Sequence, residues 1–133
     1  MQYNIMFVDD EVSVLEALKW VFKDEPYRFF AFNNPIDALK KMEETEFAAV
    51  IADQRMPEME GTIFFEKIRQ KWPETIRIMI TGHVGLDIAL DAINLGNVYR
   101  FIFKPWNERE LKLTVKSAVS YYVSKSKTSI TQV

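Results

Sequence analysis

The chain is 133 residues long, a length that suits a single domain with one sizeable hydrophobic core. Hydrophobic residues make up 48% of it, and 17 basic against 19 acidic side chains give a net charge of −2, so nothing in the charge balance indicates a nucleic-acid or membrane surface. The absence of cysteine excludes disulfides and thiolate metal sites. We find no secretory signal and no apolar run of the roughly 20 residues that span a bilayer, so we expect a cytoplasmic protein.

Short apolar runs alternate along the chain with segments of helical periodicity. In the first half, the runs at residues 3–8, 27–32 and 47–52 predict strands. A helix that begins at Asp10 or Ser13 is predicted after the first run, and the sequence Asn-Asn-Pro predicts the start of a second helix after the next run. The predicted inner faces of these two helices consist of Val14, Leu15, Leu18, Val21 and Phe22, and of Ile36, Leu39 and Met42.

The second half of the chain continues this alternation. Strands are predicted at residues 76–80 and 99–103, a third helix is expected to stop before Pro73, and a fourth is expected to end at Gly96. Asn107, followed three residues later by a glutamate, forms a pair like a capping box at the start of the last helix. The predicted inner faces are Phe65, Ile68 and Trp72, then Ile88, Ala92 and Ile93, and finally Leu111, Val115, Ala118, Val119 and Tyr122.

The alternation of five strands with five helices predicts an α/β fold of the (βα)5 type. Strands that are apolar on both faces and are joined by helices indicate a parallel sheet covered on both sides. Right-handed crossovers favour a doubly wound sandwich with the flavodoxin-like strand order 2-1-3-4-5. We expect residues 1–123 to form this domain. Residues 124–133 are small and polar without periodicity, and we expect them to form a tail or linker.

Polar side chains follow the apolar strands at the points where the strands end. Asp9 and Asp10 follow the first strand, Asp53 the third, Thr81 the fourth and Lys104 the fifth. In an open parallel sheet, ligands bind at the carboxyl ends of the strands. We therefore expect these side chains to converge at one rim.

Three carboxylates at one point predict a bound cation, since like charges repel each other unless a cation lies between them. Such oxygen ligands suit Mg²⁺, which binds through one or two carboxylates, waters and phosphate oxygens. The lysine and the hydroxyl add a positive charge and a donor for a phosphoryl group. The rim therefore predicts metal-assisted phosphoryl transfer to Asp53, whose ionised carboxylate is already nucleophilic and needs no base.

Four short motifs give the chain a family resemblance. The motifs are VDDE (residues 8–11), ADQRMPEMEG (52–61), ITGH (80–83) and FKP (103–105). In this order and at this spacing, the chain resembles the receiver domain of two-component response regulators over residues 3–122. The resemblance implies that a sensor histidine kinase or a phosphotransfer protein phosphorylates Asp53. It also implies a signalling module that catalyses its own phosphorylation and dephosphorylation, rather than a metabolic enzyme.

The resemblance implies roles for the residues around Asp53. Asp10, Asp53 and the backbone carbonyl of Arg55 would hold Mg²⁺, and Asp9 would act mostly through water. The residue after the phosphoacceptor, Gln54, replaces a more frequent apolar residue.

The resemblance also implies a switch that carries the signal away from the site. Thr81 would shift toward the phosphoryl group, Lys104 would pair with the phosphoryl oxygens, and Phe101 would be the coupled aromatic switch. Phe101 lacks the hydroxyl of the commoner tyrosine, so this switch works through packing. Arg55 and His83 occupy the two variable positions that border the path of the attacking water in this family, and we expect them to tune the lifetime of the phosphorylated state. The Lys104–Pro105 bond is often cis in such domains.

The output surface is expected near strand five and the last two helices. Strand alternation predicts that Tyr99, Phe101 and Phe103 point to one side of this edge strand, and Arg100 and Ile102 to the other. Exposed aromatic residues beside an arginine are typical of interface hot spots, although simple packing is the alternative. We expect homodimerisation or partner binding there on phosphorylation, and a C-terminal output domain in the longer protein.

Several alternatives remain open from the sequence. Asp10 could be a helix cap, and Thr81 and Lys104 could be ordinary loop residues. A flavodoxin-like flavin carrier shares the fold, but it needs a phosphate-cradling loop where this chain has Asp-Asp-Glu. A phosphatase with an aspartyl intermediate generally has a second aspartate where this chain has Arg55. A receiver-like scaffold that is never phosphorylated would not need the acidic set and the lysine.

Overall fold

The computed structural model describes residues 2–82 and 97–131, with side chains up to residue 125. The strands are β1 (Tyr3–Val8), β2 (Tyr27–Phe32), β3 (Ala49–Asp53), β4 (Ile76–Thr81) and β5 (Arg100–Phe103). The helices are α1 (Val12–Val21), α2 (Pro35–Glu44), α3 (Gly61–Lys71) and α4 (Glu108–Thr131). The predicted helix with Ile88, Ala92 and Ile93, which was expected to end at Gly96, lies outside the described residues.

The five strands form one parallel sheet in the order β2-β1-β3-β4-β5. The predicted flavodoxin-like order is therefore confirmed, with β1 and β3 adjacent at the centre and β5 at one edge. Val8 at the end of β1 pairs with Phe32 of β2 and with Ala52 of β3. Because all strands run in one direction, their carboxyl ends lie along the same edge of the sheet.

Two hydrophobic clusters cover the two faces of the sheet, as the apolar strands predict. Ile5 and Phe7 of β1 pack with α1 and α4, whereas Met6 and Val8 of the same strand pack with α2 and α3. Burial of each large apolar side chain contributes about 1.5–3 kcal/mol, so these two layers supply most of the stabilisation. The first cluster includes Leu18, Ile51, Ile78, Ile102, Leu111 and Val115, and the second includes Met42, Val50, Phe64, Phe65, Ile68 and Met79.

The first two helices begin in different ways. In α2, Asn34 is the predicted cap: its Oδ1 accepts a hydrogen bond of 2.8 Å from the backbone N–H of Ile36, and Pro35 opens the helix. In α1 the prediction of a start at Asp10 or Ser13 was wrong, since the helix begins after Glu11. Within the described part of the chain, Glu11 makes no side-chain capping bond. The alternative of Asp10 as a helix cap is therefore excluded.

The inner face of α2 differs from the predicted one. Ala38 and Met42 are buried, but the Ile36 side chain, predicted to be internal, is 45% exposed. The cap at Asn34 and the buried Pro35 set the rotation of the helix, and this rotation turns Ile36 outward while leaving Leu39 half-buried.

The last helix, α4, is longer than expected. Its start agrees with the prediction, because Oδ1 of Asn107 accepts a hydrogen bond of 3.0 Å from the backbone N–H of Glu110. It continues to Thr131, through residues that were expected to form a polar tail. Ser, Lys, Thr and Ile in this segment tolerate a helix, and it contains neither proline nor glycine. None of the helices within the described residues is long and apolar enough to span a membrane.

The prediction for the two sides of β5 holds only in part. Phe101 packs with the second cluster and Ile102 with the first, in keeping with strand alternation. Tyr99 packs with the first cluster, where its hydroxyl lies 2.9 Å from Oγ of Ser117 and its ring lies 5.3 Å from that of Tyr121. The predicted grouping of Tyr99 with Phe101 was wrong because Tyr99 precedes the strand, where alternation does not yet apply.

Candidate functional site

The carboxyl ends of the five strands lie along one rim, and backbone hydrogen bonds join the ends of neighbouring strands. The N–H of Asp9 donates to the carbonyl of Phe32 over 3.1 Å, and the N–H of Lys104 donates to the carbonyl of Thr81 over 2.9 Å. Asp53 is the last residue of β3, one residue beyond the predicted strand. The sheet therefore fixes the backbone of each of these residues before any contact between their side chains.

The carboxylate of Asp53 is buried and accepts two hydrogen bonds. Its Oδ1 accepts a bond of 3.1 Å from the backbone N–H of Arg55, and its Oδ2 lies 2.7 Å from Nζ of Lys104. The side chains of Asp53 and Lys104 are 10% and 28% exposed, so the ion pair is only partly accessible to water. Charge-assisted bonds of this kind are stronger than neutral ones and hold both groups in place.

The two aspartates after β1 lie beside Asp53 in different environments. Asp9 is buried, with Oδ1 accepting a bond of 2.9 Å from the backbone N–H of Glu11 and Oδ2 lying 3.5 Å from Nζ of Lys104. Asp10 is exposed. The three carboxylates each offer an oxygen atom, and these atoms lie within 4.8 Å of one another. The structure therefore forms the acidic cluster that the strand ends predict.

Burial and neighbouring charges oppose each other in this cluster. Burial raises the pKa of Asp9, the bond from Glu11 and the charge of Lys104 lower it, and the charges of Asp53 and Asp10 raise it again; the net pKa is raised. Burial lowers the pKa of Lys104, but the hydrogen bond and the charge of Asp53, together with Asp9, outweigh burial and leave that pKa raised. The lysine is therefore firmly cationic at neutral pH.

The acidic cluster opens into a cleft of about 740 Å³. The carboxylate oxygens of the cluster, one of which belongs to the exposed Asp10, leave room for water and for phosphate oxygens. Mg²⁺ prefers this combination of ligands. The donor set therefore fits Mg²⁺. The cleft is lined by Asp10, Glu11, Asp53, Gln54, Arg55, Met56, Pro57, Glu60, Thr81, Gly82 and Lys104.

The other predicted site residues lie around this cleft or beside it. Thr81 is buried and its hydroxyl donates a bond of 3.1 Å to the carbonyl of Gly82. Arg55 is exposed and lines the cleft. Phe101 is half-buried in the second cluster, opposite Met79 in register, and the Lys104–Pro105 bond is cis. His83 lies outside the described residues.

Two residues near the site have contacts that the sequence reasoning missed. Asp9 accepts a bond from the backbone N–H of Glu11, a contact within the turn that the sequence analysis did not anticipate. Gln54 is buried, and its Oε1 accepts a bond of 2.9 Å from the backbone N–H of Thr62. The signal was available for Gln54, since a polar residue follows an apolar strand where the family usually has an apolar residue.

Known proteins with the same arrangement identify the family. Residues 5–116 match the family model described as response regulator receiver domain. The hydrogenase transcriptional regulatory protein HoxA of Bradyrhizobium diazoefficiens is 35% identical over 122 residues, which cover 92% of this chain and 25% of that protein.

Solved structures agree with this match. The crystal structure of an adenylate cyclase from Rhodopirellula baltica superposes with a TM-score of 0.92 at 29% identity, over 99% of this chain and 98% of that one. NtrX from Brucella abortus, crystallised with ADP, gives a TM-score of 0.88 at 26% identity, over 97% of this chain and 30% of that one. The chain spans about a quarter of the length of the curated relatives that it matches. The predicted resemblance is confirmed, and the chain belongs to the response regulator receiver domain family.

Proposed function

We propose that this receiver domain accepts a phosphoryl group on Asp53 from a sensor histidine kinase or a phosphotransfer protein, in a reaction that requires Mg²⁺. The proposal is supported above all by the position of Asp53 at the cleft, where it contacts Lys104 and lies within the cluster of three carboxylates. We further propose a cytoplasmic location, where such a kinase domain would be accessible.

The transfer needs a nucleophile, a leaving group and compensation of charge. A carboxylate oxygen of Asp53 forms the new bond to phosphorus while the bond from phosphorus to the histidine nitrogen of the donor breaks, and the bonding electrons stay on that nitrogen. Asp53 has no proton to lose when it is ionised. The ammonium group of Lys104, 2.7 Å from Asp53, offsets the negative charge of the phosphoryl oxygens in the transition state.

The metal would be held by Asp10, Asp53 and the backbone carbonyl of Arg55. Mg²⁺ bound there supplies positive charge that neutralises the phosphoryl oxygens. Asp9 would act mostly through a bound water, a role supported by the bond from Glu11 that already occupies one of its oxygens. Exposure of Asp10 leaves the metal position open to water and to the donor.

The signal would leave the site through Thr81 and Phe101. The Thr81 hydroxyl donates to the carbonyl of Gly82, and rotation away from that carbonyl would let it donate to a phosphoryl oxygen. Phe101 packs beside Met79 in the second cluster and would turn inward when Thr81 moves. We propose that this change alters the surface around Arg100 and Phe103, both exposed on β5, and favours homodimerisation or partner binding there.

Two residues would set how long the phosphorylated state lasts. Arg55 lines the cleft and is long enough to crowd the approach of water to Asp53. We propose the same role for His83. An Arg55→Ala, His83→Ala double variant should therefore lose its phosphoryl group faster than the wild type.

The longer relatives suggest what the domain controls. HoxA is named as a transcriptional regulatory protein, and the matched region is a quarter of its length. We propose that residues 1–123 act as the receiver and that residues 124–133 lead to an output domain in a longer protein.

The central test is phosphorylation by a small phosphodonor in the presence of Mg²⁺. Intact-mass spectrometry should show one added phosphoryl group on the wild type and none when EDTA removes the metal. Asp53→Asn should remain unmodified, while Asp24→Asn, which changes an exposed aspartate outside the cleft, should be modified like the wild type. Equal labelling of Asp53→Asn and the wild type would contradict the assignment.

A further inference from the structure

Gln54 directly follows Asp53 and is only 5% exposed. Its backbone N–H donates to the carbonyl of Ile80 over 3.1 Å and extends the contact between β3 and β4 by one residue. A buried polar side chain needs a hydrogen-bond partner, because leaving it unpaired in the protein interior is costly. The partner of Gln54 lies at the start of α3.

Two acceptors of Gln54 bind the first backbone N–H groups of α3. Its carbonyl accepts a bond of 2.9 Å from Gly61, and its side-chain Oε1 accepts a bond of 2.9 Å from Thr62. These N–H groups have no partner inside the helix and are usually bound by the residue just before it. In the described structure the residue at that place, Glu60, makes no side-chain capping bond. Gln54 therefore caps α3 from the end of β3.

Gly61 shows how closely the helix approaches the strand. A Cβ atom at Gly61 would lie 2.7 Å from the carbonyl oxygen of Asp53 and 2.9 Å from Cα of Gln54. Both distances are too short for non-bonded atoms, so only glycine lets α3 begin directly against the backbone of the phosphoacceptor. The start of α3 is therefore in close contact with both the backbone and the side chain of Gln54.

As a result, Gln54 holds both ends of the loop formed by residues 55–60. It directly precedes the loop in the chain, and it binds the first residues of α3, which directly follow the loop. This loop holds Arg55, whose N–H binds Asp53 and whose carbonyl is the backbone ligand proposed for Mg²⁺. It also holds Met56, whose buried side chain anchors the loop in the hydrophobic core. The two bonds from Gln54 to α3 limit how far the Arg55 carbonyl can move.

We propose that Gln54 is a positioning residue, which holds the loop of residues 55–60 in the geometry for binding Mg²⁺ before the ion arrives. The inference rests on the proposed function. An apolar residue at this position could not accept the bond from Thr62. A neutral amide accepts that bond without adding a fourth negative charge beside Asp9, Asp10 and Asp53.

Three variants separate positioning from a general loss of stability. Gln54→Met keeps the length of the side chain but removes the acceptor, and Gln54→Glu keeps an acceptor. Gln70→Met makes the same chemical change at an exposed position of α3 and serves as the control. Amide exchange of Thr62 is followed by NMR, and Mg²⁺ binding by calorimetric titration, both well below the melting temperature of every variant.

We expect Gln54→Met to raise the exchange rate of the Thr62 amide and to weaken Mg²⁺ binding about fivefold, the factor that one ordinary hydrogen bond contributes to an equilibrium constant. Gln54→Glu should restore slow exchange at Thr62, and Gln70→Met should match the wild type in both measurements. Unchanged exchange at Thr62 in Gln54→Met would overturn the inference. Faster exchange with unchanged Mg²⁺ affinity would overturn it too, because the cap would then be structural only.

The same titration distinguishes this inference from the proposed function. If the wild type binds no Mg²⁺, the proposed function fails and this inference fails with it. If the wild type binds Mg²⁺ and Gln54→Met binds it equally well, the proposed function stands and only the role of Gln54 is wrong.

Discussion

The turn after β1 and the turn after β3 begin in the same way but have different roles. In each, an aspartate at the strand end accepts a hydrogen bond from the N–H two residues later: Asp9 from Glu11, and Asp53 from Arg55. This is a local turn motif that aspartate forms readily. In the described structure, neither helix that follows is capped by the side chain of the residue just before it.

The two turns differ in length and in what lies beside them. The first consists of residues 9–11 and leads straight into α1, whereas the second consists of residues 54–60 and is closed by Gln54. Nζ of Lys104 lies 2.7 Å from Asp53 but 3.5 Å from Asp9. Local sequence thus sets how each carboxylate is held, while the neighbouring strand end determines which of them pairs with the lysine.

The largest expected effect comes from exchanging each aspartate for asparagine, which keeps the acceptor for the turn but removes the charge. Asp53→Asn should abolish phosphoryl incorporation, because no nucleophilic carboxylate remains. Asp9→Asn should keep incorporation but slow it about 10- to 100-fold, the usual effect of losing an outer partner of a metal site. Time courses by intact-mass spectrometry would measure both. An equal loss of phosphoryl incorporation in the two variants would show that the two turns have equivalent roles, contrary to the difference expected here.

The turn after β3 should also tolerate added side-chain volume less well than the turn after β1. Gly61→Ala should lower the free energy of unfolding by about 1–3 kcal/mol, because its Cβ would collide with the backbone of Asp53 and Gln54. Gly82→Ala is the matched control, since apart from its chain neighbours no atom of the described residues lies within 4 Å of the added Cβ; its effect should stay within about 0.5 kcal/mol. Urea unfolding of both variants provides the measurement. Similar values would mean that the turn can relax around the added methyl group.

Removing the lysine should test whether the pair with Asp53 stabilises the fold. Lys104→Met leaves the carboxylate of Asp53 without its cation and should lower the free energy of unfolding by about 1 kcal/mol, less than for a fully buried pair. Lys71→Met breaks the exposed pair with Glu43 and should cost at most about 0.5 kcal/mol. Urea unfolding in EDTA compares the two. A larger loss in Lys71→Met would contradict the importance of the partly buried pair.

The smallest effect concerns the pH dependence of stability without metal. Because the folded pKa of Asp9 is raised above its ordinary value of 3.8, the contribution of Asp9 to stability is fully present below pH 3.8 and is lost as the pH rises through the folded pKa. Ionised Asp9 therefore costs stability, and at pH values above its folded pKa Asp9→Asn should melt at a higher temperature than the wild type in EDTA. This advantage should disappear below pH 3.8. Thermal unfolding at both pH values measures it, and an advantage that is independent of pH would exclude this cause.

The sequence was sufficient for the sheet order and for the meeting of the charged side chains. Asp9, Asp53 and Lys104 each follow a largely apolar run, and parallel topology brings the carboxyl ends of such runs to one rim. These features depend on periodicity and on chain direction, both of which can be read without knowing any side-chain position.

The features that the sequence could not provide depend on the path of the backbone between elements. The bond between Gln54 and Thr62 exists only because residues 55–60 return to the end of β3. The side on which Tyr99 packs depends on where the pairing with β4 begins. Trp20 on α1 is 70% exposed, with Nζ of Lys23 3.8 Å from its ring centroid. Helical periodicity alone did not resolve how far this side chain turns away from the sheet.

The last helix, α4, is long enough to amplify a small tilt at its start into a large movement at its end. The helix has 24 residues and is about 36 Å long, whereas a strand of six residues spans about 20 Å. Tyr122 contacts Tyr3, the first residue of β1, so the helix has crossed the whole sheet by that point and continues about 13 Å further to Thr131. Because its base at Asn107 lies close to Lys104, a tilt of about 10° there would move the far end by about 6 Å. A small rearrangement at the rim around Asp53 that tilted α4 would therefore produce a large displacement on the opposite side of the domain.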